Sequence, residues 1–402
     1  FKQKTAYEIG VRLVGSEMCI RDSPRVLAWA ETMSGHADRC SPGVSPGVSR
    51  VVRAHAGSTA SVGLGLAVTR RAREEWEAAT LSEGATLASG AGERAVEEEP
   101  DDERTCFERD RDRIVHSTAF RRLAGKTQVV VYPTDHQRTR LTHALEVAQV
   151  ATSIARGLGV NVTLADAIAL GHDCGHGPGG HASEDAFDQF LPGGYDHGPW
   201  GADVVLTSLN LCRQTLDGVR NHSWSSPAPS SVEGEIVSWA DRIAYCAHDL
   251  EDAVAAGIVQ LSDLPSEITE VCGRTRREQL GTFVRAVVAT TVSTGTIGMA
   301  AEPAAALSAL RAFNYERIYT RPDSLAQSRA VIDVLRALVQ YYVETPTALP
   351  ADLEVRDGDE AARTRAAVTY VAGMTDRFAF EAATALLGWN PDRLPKGIGR
   401  GA

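Results

Sequence analysis

The chain has 402 residues, 43% hydrophobic and only 6% aromatic, and its 41 Lys and Arg against 52 Asp and Glu give a formal net charge of −11. This is a globular composition, long enough for two or three domains and for a core that needs no staples. The acidic balance argues against a sequence-independent grip on nucleic acid. No apolar run reaches the roughly 18 residues of a membrane-spanning helix, and the N-terminus lacks a signal-peptide pattern.

In chain order, residues 1–100 are rich in Gly, Ser and Ala, lack apolar periodicity and end in the acidic run EEEPDDE. They predict a disordered leader. Its opening, FKQKTAYEIGVRLVGSEMCIRDS (1–23), resembles sequencing-adapter read-through, which leaves Met33 as one candidate start. Residues 101–345 read as helical nearly throughout, and 346–402 as a C-terminal helical segment packed on the same domain, so the expected class is all-α. The run ERDRDR (108–113) predicts a salt-bridged helix face. LAGKTQ is not a phosphate-binding loop, because Phe120 stands where that pattern needs glycine.

In LTHALEVAQVATSIARGL, Leu141, Leu145, Ala148, Ala155 and Leu158 form one apolar stripe, and His143, Val147, Val150 and Ile154 a second, as expected of a buried helix. GHDCGHGPGGHASEDAF (171–187) then gathers His172, Asp173, His176, His181, Glu184 and Asp185 among five glycines. Imidazole with carboxylate is the ligand set of a divalent metal of intermediate hardness. Two more ligand candidates lie elsewhere: His143 on its inward stripe, and Asp241 on the helix of EIVSWADRIAYCAHDLEDAV, where Asp241, Tyr245, His248 and Asp249 share a face. Cys174 reads as a small buried thiol. The seven cysteines are scattered without a C-x-x-C pair, which predicts reduced thiols in the cytoplasm.

The order His143, His172-Asp173, Asp241 resembles the metal-binding pattern of HD-superfamily phosphohydrolases. Together with FERDRDRIVHSTAFRRLAGKTQVV, RTRLTHALEVAQVA, DGVRNHSW and YVAGMTDRFAFE, the chain from roughly 105 to 380 resembles the deoxyguanosinetriphosphate triphosphohydrolase-like dNTPases. That resemblance implies an HD-domain helical fold with a C-terminal helical extension. It also implies hydrolysis of a deoxynucleoside triphosphate to the deoxynucleoside and tripolyphosphate. His143, His172, Asp173 and Asp241 would hold a divalent ion, Mn2+ or Mg2+, or else Fe2+ or Co2+. His181 would act on the proton with Glu184 orienting it, and His176 and His197 would be further site histidines. Arg140 and Arg242 would contact phosphate, while Gln128, Tyr245 and Asp249 would read the deoxyribose. A homo-oligomer of four or six subunits and a dNTP effector are implied as partners, with no membrane.

The chain departs from the family before His181, where Gly177, Pro178, Gly179 and Gly180 replace a stretch containing an aromatic residue. A more flexible loop is expected there. Two alternative readings stay open: another HD-type phosphohydrolase, such as a nucleotidase or guanosine-polyphosphate hydrolase, and a catalytically idle nucleotide-binding regulator.

Overall fold

A computed structural model describes residues 35–39, 50–63, 65, 67–129, 138–353 and 359–395. It divides into two units, Phe1–Ala67 and Val68–Ala402. The first contains an antiparallel hairpin of β1 (His36–Arg39) and β2 (Arg50–Arg53), with His36 opposite Arg53. Residues 1–23 and Met33 lie outside the described residues.

The second unit is all-α. Its helices are α1 (Arg70–Thr80), α2 (Cys106–His116), α3 (Thr118–Arg122), α4 (Arg140–Leu158), α5 (Val162–Gly171), α6 (His181–Phe187), α7 (His197–Trp200), α8 (Arg213–Arg220), α9 (Val232–Ala255), α10 (Ser266–Cys272), α11 (Arg276–Thr294), α12 (Ala301–Asn314), α13 (Pro322–Glu344), α14 (Glu360–Ala372) and α15 (Asp376–Leu387). Among the described residues, no helix is long and apolar enough to cross a membrane.

The expectation of disorder through residue 100 fails over residues 70–100. Thr69 caps α1 by accepting from the Ala72 amide. Glu77 then accepts from the Ala88 amide at 2.8 Å, and Ala88 is fully buried. Arg94 inserts its guanidinium against Asp110 at 2.6 Å and the Cys106 carbonyl at 3.0 Å. Charged anchors rather than apolar periodicity fix this segment, so a reading based on periodicity passes over it. The ERDRDR run is ion-paired as expected: Arg109 and Arg113 reach Glu98 at 3.1 and 2.8 Å, and Arg111 reaches Asp166 at 2.7 Å.

Two cores hold the unit together. In the first, α4 packs against α5 and α9, burying His143, Val147, Val150 and Ile154. Leu145 on the other stripe is 52% exposed, so α4 is buried on one side more than the other. The helix stops at Gly159, whose φ of 68° is the left-handed value that favours glycine. The second core joins Ala182, Ala186 and Phe187 of α6 to Val331, Leu335 and Leu338 of α13 and to residues of α14 and α15. Burying a side chain such as Phe187 contributes about 1.5–3 kcal/mol. A boundary at residue 345 therefore marks no break in packing, because α13 shares one core with the helices that follow it.

Candidate active site

Six segments converge on one point. α4 presents Arg140 and His143 from its first turn. α5 ends at Gly171, and the turn after it carries His172, Asp173 and His176. α6 and α7 open with His181 and His197, His222 follows α8, and α9 presents Asp241. His143 Nε2 lies 3.0 Å from Asp241 Oδ1 and 3.9 Å from Asp173 Oδ2. His172 Nε2 lies 3.5 Å from Asp173 Oδ1 and 3.8 Å from Asp241 Oδ1. The four expected ligands thus share one small volume, and the donor atoms of His143, His172 and Asp241 all lie within 4.8 Å of one another.

The fit to a cation can be tested on His172. Its Nδ1 is 2.6 Å from the Ala169 carbonyl, which can only accept, so Nδ1 carries the hydrogen and Nε2 presents a lone pair. That Nε2 is buried and has no hydrogen-bond partner among the described residues. An unfilled imidazole lone pair facing two carboxylates is what a divalent ion satisfies and what an apolar core would penalise.

Electrostatics agree with ligation. Burial pushes His172 below the usual imidazole range and keeps it neutral. Burial would raise Asp173 and Asp241, but Arg140 and the neighbouring imidazoles outweigh it at Asp173 and His143 does so at Asp241, so both stay ionised. Arg140, 1% exposed, donates from Nη1 to Asp173 Oδ2 at 2.7 Å. Its Nε and Nη2 are buried and have no partner among the described residues.

One expected pairing is corrected. Glu184 does not orient His181; it accepts from His197, at 2.6 Å from Nδ1 and 3.2 Å from the backbone amide. Burial opposes both charges, yet the contact lowers Glu184 to about 2 and raises His197. His181 is exposed to the cavity, where desolvation together with the Arg140 charge pushes it down rather than up. His176 is buried, stacks on His197 with centroids 3.7 Å apart and lies 3.2 Å from Asp173 Oδ1.

The loop before His181 is pinned where flexibility was expected. The Gly179 amide donates to Asp376 Oδ1 at 2.8 Å, and the Gly177 amide to Ser183 Oγ at 3.0 Å. Gly180 has a φ of 65°, and a Cβ there would meet Arg140 Nη2 at 2.7 Å, so glycine is required. Asp376 also accepts from Thr127 Oγ1, and the neighbouring Lys126 Nζ donates to the His176 and Ala372 carbonyls. Burial lowers Lys126 to about 8. The lysine of the GKT tripeptide is thus a buried brace. Cys174 is a buried thiol raised by burial to about 12, and Cys106, Cys212, Cys246 and Cys272 are likewise free and buried.

A cavity of about 470 Å³ opens from this cluster and is lined further by Gln128, Arg242, Tyr245 and Asp249. Arg242 lays its guanidinium 3.5 Å from the Trp224 ring centroid. Tyr245 accepts from Arg311 Nε at 2.9 Å. Asp249 is held by Arg138 and by the Tyr319 hydroxyl. His248, on the same helix face, turns back to the Ala244 carbonyl at 2.7 Å and is not a cavity residue. His222, Trp224, Arg311 and Tyr319 carry no site assignment from sequence. Only His222 and Trp224 had a signal, the NHSW stretch.

The HD domain family model matches residues 140–246, and the model of the phosphohydrolase-associated domain matches 297–384. The chain is 40% identical over 317 residues to a deoxyguanosinetriphosphate triphosphohydrolase-like protein of Caldanaerobacter subterraneus subsp. tengcongensis, covering 77% of this chain and 93% of the relative. It belongs to that family of HD phosphohydrolases. A second member, from Clostridium perfringens, is 38% identical over 320 residues (76% of this chain, 93% of the relative). A third, from Ruegeria sp., is 35% identical over 366 residues (74% and 96%). Within this HD phosphohydrolase, every histidine and carboxylate of the cluster falls in the HD match. The associated domain supplies Arg311, Tyr319 and the loop-pinning Asp376.

Proposed function

We propose that the chain is a cytoplasmic, metal-dependent dNTP triphosphohydrolase that releases a deoxynucleoside and tripolyphosphate. The observation that carries this reading is Arg140: a buried guanidinium, anchored to Asp173 through one nitrogen, keeps two further donors unfilled beside the carboxylate and imidazole cluster. Donors preorganised and desolvated in this way suit phosphoryl oxygens. Arg242, stacked on Trp224 with its Nε buried and unpartnered, supplies a second such contact.

His143, His172, Asp173 and Asp241 would hold the ion, Mn2+ or Mg2+, or else Fe2+ or Co2+. When bound, it supplies charge to polarise the α-phosphoryl group and to lower the pKa of a water. His181, held neutral and reaching the cavity, takes a proton from the attacking water and, once charged, can hand it to the departing 5′ oxygen. The Glu184 and His197 pair beside it keeps one imidazole fixed. Farther along the cavity Tyr245 packs beneath the sugar, Asp249 accepts from the 3′-hydroxyl, and Gln128, whose Oε1 is buried without a partner among the described residues, adds a third polar contact. A 2′-hydroxyl would be crowded by Tyr245.

The test is to incubate the protein with each dNTP and with GTP in Mn2+ or Mg2+ and to resolve products by anion exchange. Tripolyphosphate with deoxynucleoside is expected. Orthophosphate, pyrophosphate or a monophosphate would assign it to another phosphohydrolase class, and inactivity with every nucleotide would make it a regulator.

A further inference from the structure

The stretch NHSW between α8 and α9 brings an aromatic side chain, Trp224, to the wall of the cavity. It is 46% exposed, so burial alone does not account for its position. Its indole Nε1 donates to the Ser238 carbonyl at 3.0 Å. Its ring meets that of Trp239 at 74° with centroids 4.7 Å apart, and the Arg242 guanidinium lies 3.5 Å from its centroid. Ser238, Trp239 and Arg242 share one face of α9, being separated by three and four residues. The ring is thus clamped to the helix that carries Asp241. Two residues earlier, His222 Nδ1 donates to the Val219 carbonyl of α8 at 2.8 Å, so the stretch is fastened to both helices it joins.

Among the described residues Arg242 makes no hydrogen bond and no ion pair, and its Nε is buried. A guanidinium meets a ring through its face and an anion through its edge, so stacking fixes the plane of the N–H donors and leaves them unfilled. A side chain already laid on an indole has less rotamer freedom to lose when phosphate binds. We propose that Trp224 is a positioning residue for the phosphate tail, its ring holding Arg242 with the donor edge of the guanidinium presented to the cavity. This rests on the reading of the cavity as a triphosphate site. Trp224 acts through Arg242, while the Trp239 ring and the Ser238 carbonyl keep the indole from turning aside.

The test takes the full chain loaded with Mn2+ and uses inorganic tripolyphosphate as the probe, so it needs no turnover. Calorimetry gives the Kd for wild type, Trp224→Phe, Trp224→Leu, Arg242→Gln and the Trp224→Leu, Arg242→Gln double variant. Trp224→Leu should weaken binding about 5–10-fold, the scale of a partly desolvated cation–π contact, and Trp224→Phe, which keeps a ring face, by no more than about 2-fold. The double variant should lose no more than Arg242→Gln alone, because the ring works only through that guanidinium. Losses that add in the double variant, or a leucine variant that binds as wild type does, would overturn the proposal. Should the leucine variant misfold, fluorescence decides: saturating tripolyphosphate should change the tryptophan emission of the wild type, and Trp224→Phe should abolish that change. Unaltered emission in the wild type would overturn the proposal. Products formed from dNTPs test the hydrolytic reading separately. A protein yielding pyrophosphate fails there and can still show Trp224-dependent polyphosphate binding, whereas a triphosphohydrolase whose tripolyphosphate affinity ignores Trp224 fails here alone.

Discussion

The two ends of the cavity are finished to different degrees. At the histidine end, His172 Nε2, both nitrogens of His176, and Nε and Nη2 of Arg140 are buried and have no hydrogen-bond partner among the described residues. At the tyrosine end, Tyr245 is bonded to Arg311, and Asp249 to Arg138 and Tyr319. One end holds side chains in a geometry that only ions and phosphate oxygens complete. At the other, the tyrosine and the carboxylate are already bonded, and Gln128 Oε1 alone of the three sugar-facing groups is left without a partner among the described residues. On the proposed reading, the difference separates a region whose residues set the rate from one whose residues set the choice of substrate.

The largest expected effect is at the histidine end. Asp241→Ala should lose more than about 100-fold in turnover together with the ion it shares with His143 and His172. Turnover preserved in a protein whose metal content has fallen would break the contrast. Arg140→Ala should lower kcat/KM by about 10²–10³-fold, the scale of one preorganised donor, with a steeper loss for triphosphate than for nucleoside binding. At the tyrosine end, Tyr245→Ala should leave dNTP turnover within a few-fold and relax discrimination against GTP by about 10-fold or more. Unchanged rejection of GTP would move sugar selection elsewhere.

A smaller effect concerns the Lys126 brace, which ties the His176 carbonyl to that of Ala372. Burial lowers Lys126 from 10.5 to about 8 in the folded chain. Between those values the unfolded chain binds a proton that the folded one has released. Stability should therefore rise as pH climbs from about 8 to 10.5, by up to about 3 kcal/mol. Urea unfolding of wild type and Lys126→Met across that range measures it, and equal slopes for the two proteins would remove Lys126 as the source.

Much of the histidine end was legible because most of its side chains lie near helix ends, Asp241 inside α9 excepted. His143 sits on an inward stripe, and His172, Asp173 and His181 crowd a glycine-rich turn. What escaped depends on contacts that spacing cannot express. Glu184 and His181 are three residues apart, yet Glu184 bonds His197, thirteen residues on. His222 is a lone imidazole near a Ser- and Pro-rich loop with no periodicity to mark it. Residues 70–100 are fixed by Glu77 and Arg94, buried charges that hydrophobic patterns do not register. The loop of Gly177 to Gly180 looked slack in composition, but its restraint comes from Asp376, 197 residues from Gly179.

That last bond makes the turn ahead of His181 depend on α15, far downstream in the chain. A chain broken off before residue 376 would keep the histidines of the cluster and both aspartates and still lack the carboxylate that fastens this turn. On the proposed reading, the last helices act as a clasp on the residue that moves the proton.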